Sequence, residues 1–273
     1  MKKTAISIII INASLLLFSC NKKEKAIEQP ALINKALADG FPENIKLINS
    51  YLYSCVQTSK YSSTVYNNIF SYAAFTDPEK NLLNTYNHYS NNKIFSSTGA
   101  GGNIDVGNVT LNGSLVIKNF SSNSEVYYGG NFSNNTNFLN LNAYWTTEGN
   151  RTFKPMDVII NKGHPTIAVN NLAISNSISK NTDFTITIGN NITNYDSLIV
   201  ILEDGSWNGK IRKTVPKNTA SLTFTTQEMS ILNNSNNGKF SIYAYNYSNM
   251  TVDSKVNVFE LSNQYNVNNI YIY

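Results

Sequence analysis

The chain has 273 residues, with 21 Lys and Arg against 17 Asp and Glu, a formal net charge of +4, and only 14% charged residues. So even a balance leaves no concentrated basic stripe of the kind nucleic acid requires. The two cysteines, Cys20 and Cys55, are too few for the disulfide framework that staples small secreted domains.

Residues 1–19 predict an export signal. Lys2 and Lys3 supply the leading positive charge, and the stretch from Ala5 to Phe18 is apolar apart from Ser7, Asn12 and Ser14. It is roughly 14 residues long, short of the ~20 that a membrane-spanning helix needs. It ends in Leu17-Phe18-Ser19-Cys20, which resembles the lipobox of bacterial lipoproteins. That resemblance implies a diacylglycerol, with palmitate-type chains, on the Cys20 thiol. It also implies cleavage before Cys20 and acylation of the new amine. Two acyl chains suffice for stable anchoring, and each buried methylene contributes about 0.8 kcal/mol, so a triply acylated protein would not leave its bilayer. Asn21 stands where an Asp would resemble an inner-membrane retention signal, so the outer membrane is the expected location. Surface-exported Bacteroidetes lipoproteins commonly carry acidic residues after the Cys, whereas Asn21-Lys22-Lys23-Glu24-Lys25 is mostly basic. Periplasmic face and cell surface both stay open.

Residues 20–44 read as a lipidated tether: charged at first, then a short Ala/Leu patch from Ala31 to Leu37 that Gly40 and Pro42 terminate. Residues 45–163 predict an N-terminal β domain. Its apolar and aromatic runs include Val65 to Phe75, Val109 to Leu111, Leu115 to Ile117, Tyr127-Tyr128 and Phe138 to Leu141. Asn112-Gly113 between two such runs is a strong hairpin signal. Cys55, within Tyr51-Leu52-Tyr53-Ser54-Cys55-Val56, is expected to be a buried small hydrophobe.

Residues 164–273 predict a second β domain. Candidate strands are Thr166 to Val169, Phe184 to Ile188, Leu198 to Leu202, Lys210 to Val215, Ser221 to Thr225, Phe240 to Tyr247 and Val256 to Leu261. Seven short strands separated by turn signals match an immunoglobulin-like sandwich. A helical turn from Thr226 to Leu232, N-capped by Thr226, interrupts the series. The expected fold class is therefore all-β, with two β domains behind a signal peptide and tether.

In strand count the C-terminal region resembles the Ig-like or fibronectin-type modules of bacterial envelope proteins. Ala74-Phe75-Thr76-Asp77-Pro78, Asp105-Val106-Gly107-Asn108-Val109-Thr110-Leu111-Asn112-Gly113 and Trp145-Thr146-Thr147-Glu148-Gly149 also resemble cell-envelope lipoproteins of the Bacteroidetes type. This likeness covers most of the mature chain and implies an envelope location, with no particular activity.

No reaction announces itself. The two histidines, His88 and His164, fall short of a zinc ligand set, and there is no H-E-x-x-H. Gly205-Ser206-Trp207-Asn208-Gly209 lacks the first Gly of a nucleophile elbow. Glu203 and Asp204 are sequence neighbours and should face opposite sides of a strand, unlike a glycosidase pair. The run Gly99-Ala100-Gly101-Gly102 matches no phosphate-binding pattern. No catalytic residue, metal or cofactor is expected, and the chain is not expected to be an enzyme.

Aromatic residues are the excess: 17 Tyr, 13 Phe and two Trp. Most should pack on sheet faces. Trp207, in a turn-rich segment between two strong strands, is the candidate ligand-binding ring, and Trp145 is expected in the core. Asp196-Ser197-Leu198 resembles the acceptor of Bacteroidetes O-glycosylation, which would modify Ser197. The expected function is a non-catalytic, lipid-anchored envelope protein acting as a binding or structural module. The alternative is a carbohydrate-binding accessory lipoprotein of a polysaccharide-uptake system. Expected partners are the membrane, through the lipid, and a glycan or another envelope protein.

Overall fold

The computed structural model describes residues 49–61, 63–75, 104–120, 126–132, 142–172, 174–206 and 209–273. Cys20, the signal, the tether, His88, the Gly99–Gly102 run, the Phe138–Leu141 segment and Trp207 lie outside them. Among the described residues the regular structure is almost entirely strand.

In the first half, β1 (Ser50–Tyr61) and β2 (Thr64–Phe75) form a hairpin, followed by β3 (Val109–Leu111), β4 (Ser114–Phe120), β5 (Val126–Asn131), β6 (Ala143–Thr147) and β7 (Met156–Ile160). Burial alternates residue by residue in β3, β6 and β7, as period-2 side chains on a one-sided sheet must. The β3–β4 turn is Asn112-Gly113, both at positive φ (49° and 76°) as a primed hairpin turn requires.

In the second half, β8 (Thr166–Ile167), β9 (Ser177–Ile178), β10 (Phe184–Thr187), β11 (Ile192–Thr193), β12 (Ser197–Glu203), β13 (Lys210–Val215) and β14 (Ser221–Phe224) are short. They lead through a single helical turn, α1 (Thr226–Met229), into two strands of 18 residues each, β15 (Ser235–Val252) and β16 (Lys255–Ile272). The N-cap of α1 is Thr225, one residue earlier than the sequence reading. Thr225 Oγ1 accepts from Glu228 N, and the Glu228 carboxylate accepts from Thr225 N in return. That reciprocal capping box selects Thr225, because only there does Glu228 stand three residues on.

The last two strands are also far longer than expected. Their Asn and Ser residues read as turn signals, yet they alternate with Phe240, Ile242, Ala244, Tyr265 and Val267, all at most 3% exposed. Alternation, rather than the turn propensity of Asn, decides the outcome.

The main sheet has the order β13-β12-β15-β16-β1-β2-β5-β4-β3-β6-β7, with β9 also joining β16. β1 lies parallel to β16, from Ser50 opposite Asn257 to Tyr61 opposite Asn268. The ladder therefore runs without a break from the first half of the chain into the second. One face of this sheet carries two cores. Leu52, Phe75, Trp145, Val158, Ile160, Phe259 and Leu261 belong to one, so the sheet curls until its β7 end returns over β1 and β16. Leu198, Val200, Phe240, Ile242, Val267 and Ile270 belong to the other, closed by the small ladders β10–β14 and β8–β11. Phe184 and Phe224 pack on Phe240 across that gap, giving a β-sandwich-like lobe. Among the described residues, no helix is long and apolar enough to cross a membrane.

Candidate functional site

The opposite face of β12, β15, β16, β1 and β2 is organised in rows set by the strand registers. Odd residues of β12, β15 and β1 align there with even residues of β16 and β2. At one end the rows are aromatic and buried. Tyr243, Tyr245 and Tyr247 stack along β15, with centroids 6.4 and 5.9 Å apart, and Tyr51 and Tyr53 stack along β1 at 6.3 Å. Their hydroxyls are not stranded. Tyr51 donates to the buried Glu260 carboxylate, and Tyr53 accepts from Ser262 Oγ at 3.0 Å and Gln264 Nε2 at 2.8 Å. Burial holds the Tyr53 and Tyr245 hydroxyls well above the ordinary phenol range.

Toward the β1–β2 turn the same face opens into a groove of about 500 Å³. Its lining follows the registers: Ser59 lies between Tyr66 and Asn266, and Tyr61 beside Asn268, which faces Lys239. Gln57 and Asn68, opposite one another, form the next row inward. Tyr61 and Tyr66 are 45% and 53% exposed and meet edge to face at 5.9 Å. Asn266 is 3% exposed, and its Oδ1 has no hydrogen-bond partner among the described residues. The one charged side chain of the lining among the described residues, Lys239, has Glu203 at 4.0 Å, and Glu203 also has Lys210 at 3.6 Å. Burial lowers the pKa of Lys239; Glu203 opposes that shift, and Lys210 adds to it.

This groove escaped the sequence reading, which ended the last strand at Leu261 and left Asn266 and Asn268 outside any element. The available signal was the alternation Tyr265-Asn266-Val267-Asn268, the mark of a strand with one polar face.

The residues singled out from sequence lie elsewhere. Cys55 is fully buried among the tyrosines, and desolvation pushes its thiol up to about 12, so it is an inert core residue. Trp145 is fully buried in the N-terminal core. Ser197 opens β12 half-buried, opposite Tyr245, while its neighbour Asp196 holds Lys162 at 2.5 Å. Glu203 faces Lys239 of the groove and Lys210 beside it, and Asp204 turns away. His164 is buried where the chain leaves β7, with Nε2 3.0 Å from Ser54 Oγ. Ser54 and His164 make no accessible nucleophile, since they are 0% and 7% exposed and His164 Nδ1 has no orienting partner among the described residues. No cluster of three or more His, Cys, Asp or Glu able to hold a metal occurs among the described residues.

Asp204 organises the β12–β13 turn. It is 3% exposed and accepts from Ser206 N at 2.7 Å, Asn233 N at 2.6 Å and Asn233 Nδ2 at 2.9 Å. Burial alone would raise its pKa; the Ser206 and Asn233 hydrogen bonds outweigh burial and hold it below the ordinary carboxylate value. Asp204→Ala is expected to cost about 2 kcal/mol, measured by urea denaturation, because it removes three charge-assisted hydrogen bonds that hold the turn to Ser206 and Asn233.

No protein-family profile matches this chain, and no curated protein shows significant similarity to it.

Proposed function

We propose that this chain is a non-catalytic, lipid-anchored protein of the bacterial outer membrane, acting as a binding module. The observation that carries the binding role is the groove across β15, β16, β1 and β2, whose lining offers amides, hydroxyls and two exposed rings. Such groups recognise a ligand by shape and hydrogen bonds; none of them is an activated nucleophile or a paired acid and base. The anchor rests on Leu17-Phe18-Ser19-Cys20 and the short apolar stretch before it. The second half of the chain fits an Ig-like module. One layer, β13-β12-β15-β16 with β9 added parallel to β16, faces a β10–β14 layer, as in two-sheet Greek-key sandwiches.

Cells expressing the chain and fed radioactive palmitate are expected to label it, and Cys20→Ser should abolish both the label and membrane retention. A wild-type protein that stays unlabelled would remove the anchor. The binding role fails if the purified full chain, in detergent, turns over a substrate and one substitution stops turnover without altering its melting temperature.

A further inference from the structure

We infer that the groove beside the β1–β2 turn is a binding site for an uncharged oligosaccharide, with Tyr61 and Tyr66 as stacking platforms and Asn266 as the hydrogen-bonding floor. The inference rests on the binding-module reading and names the ligand class of that same site.

Three features select a sugar. First, the lining pairs exposed rings with amides. A pyranose ring presents an apolar C–H face to an aromatic ring and hydroxyls at its edge, and the hydroxyls both donate and accept. An amide is likewise donor and acceptor at once, and the lining has four, on Gln57, Asn68, Asn266 and Asn268. Pockets for drug-like apolar ligands are built mainly of aliphatic and aromatic side chains, and among the described residues this lining has no Val, Leu, Ile or Met. Second, the Asn266 floor is unfinished. Its side chain is more than nine-tenths buried, yet Oδ1 has no hydrogen-bond partner among the described residues, and an unmatched buried acceptor is disfavoured unless something completes it. The torsion that sets this amide's plane is soft, so a small turn presents Oδ1 to a ligand hydroxyl. Third, the lining carries little charge. Among the described residues its one cation is Lys239, already 4.0 Å from Glu203, which lies outside the lining, so a carboxylate or sulfate on the ligand would find no second cation there.

A peptide fits less well. β15, β16 and β1 are interior strands whose backbone groups are committed to neighbours on both sides, and a peptide added along β2 beyond its Phe70–Ala73 pairing with β5 would extend the sheet in its own plane rather than fill the groove on its face. A volume of about 500 Å³ lies within the range of small-ligand sites and would hold a short stretch of glycan rather than a folded domain.

The test is an array of neutral and acidic oligosaccharides probed with the purified full chain in detergent, followed by calorimetric titration of the hits. Neutral glycans should bind, with an affinity that stays flat from about 0.1 M to about 1 M salt, because no ion pair is formed. Tyr61→Ala and Tyr66→Ala should each weaken binding roughly tenfold at an unchanged melting temperature. Asn266→Ala should weaken it as well, while Phe120→Ala, which removes an exposed ring from β4, should leave it intact. Glycan binding that survives both tyrosine substitutions would overturn the groove as its site. Binding confined to acidic glycans, or to none, would overturn the ligand class. Neither result touches the non-catalytic reading, which falls only to turnover.

Discussion

Trp145→Ala is expected to remove about 4 kcal/mol of stability, the largest single loss in the N-terminal core. Trp145 sits at the middle of β6, paired with Leu111 on one side and Val158 on the other, and is fully buried in one cluster with Phe75, Tyr128 and Phe153. Truncation would leave a cavity the size of an indole in the space where the sheet curls over itself. Surrounding strands held by ladders on both sides have little freedom to collapse into it. Against a total of about 5–15 kcal/mol for an ordinary domain, the variant should be marginal at 37 °C. Trp145→Phe should behave differently. The indole Nε1 is buried and has no partner among the described residues. Phenylalanine gives up volume but also removes that orphaned donor, whose burial costs about 1–3 kcal/mol. The two effects oppose, and the net change should stay within about 1 kcal/mol. Urea denaturation followed by circular dichroism measures both. An alanine variant that loses less than about 1 kcal/mol would mean that the core is not packed around this ring.

The second large effect is in acid. Burial drives the His164 pKa down to about 4 from its ordinary 6.5, against a smaller upward push from the Ser54 contact. The folded protein therefore keeps His164 neutral where the unfolded chain has already taken up a proton. Above about pH 6.5 both states are neutral and the full stability is present. As pH falls from 6.5 toward 4, the unfolded state binds the extra proton and stability declines, by about 3 kcal/mol in all. The depressed carboxylates act in a lower window. Asp196, whose interactions with Lys162 and the Tyr247 backbone outweigh its burial, contributes stability above the ordinary 3.8, lost as pH falls below it. His164→Gln should flatten the stability profile between pH 6.5 and 4 and leave the steeper loss below pH 4 in place. An unchanged slope in the upper window would show that His164 is solvated and titrates normally.

The position of His164 matters more than its chemistry. It follows β7, and its ring reaches Ser54 on β1, while Lys162 donates to Tyr247 O at 2.7 Å and Asn246 donates to Gly163 O at 2.9 Å. These contacts fasten the end of the curled sheet to the long β15–β16 hairpin. A lone histidine before a proline gave no hint of this, because Ser54, the partner of its ring, is 110 residues away, and the β15 partners of Lys162 and Gly163 are more than 80 away.

Local chemistry was enough for the all-β class, the Asn112-Gly113 turn, the burial of Cys55 and Trp145, and the strand from Lys210 to Val215. Each depends on alternation or on a turn residue whose φ preference acts within a few positions. The candidate lipidation at Cys20 is likewise a matter of contiguous residues. The groove was decided by tertiary structure alone. Gln57, Tyr66, Lys239 and Asn266 come from four strands spread along nearly the whole described chain. They meet only because β1 docks parallel to β16, a pairing some 200 residues apart that leaves no mark on either strand by itself. Once that register is set, the same alternation that buries Tyr265 and Val267 turns their asparagine neighbours toward one another on the opposite face.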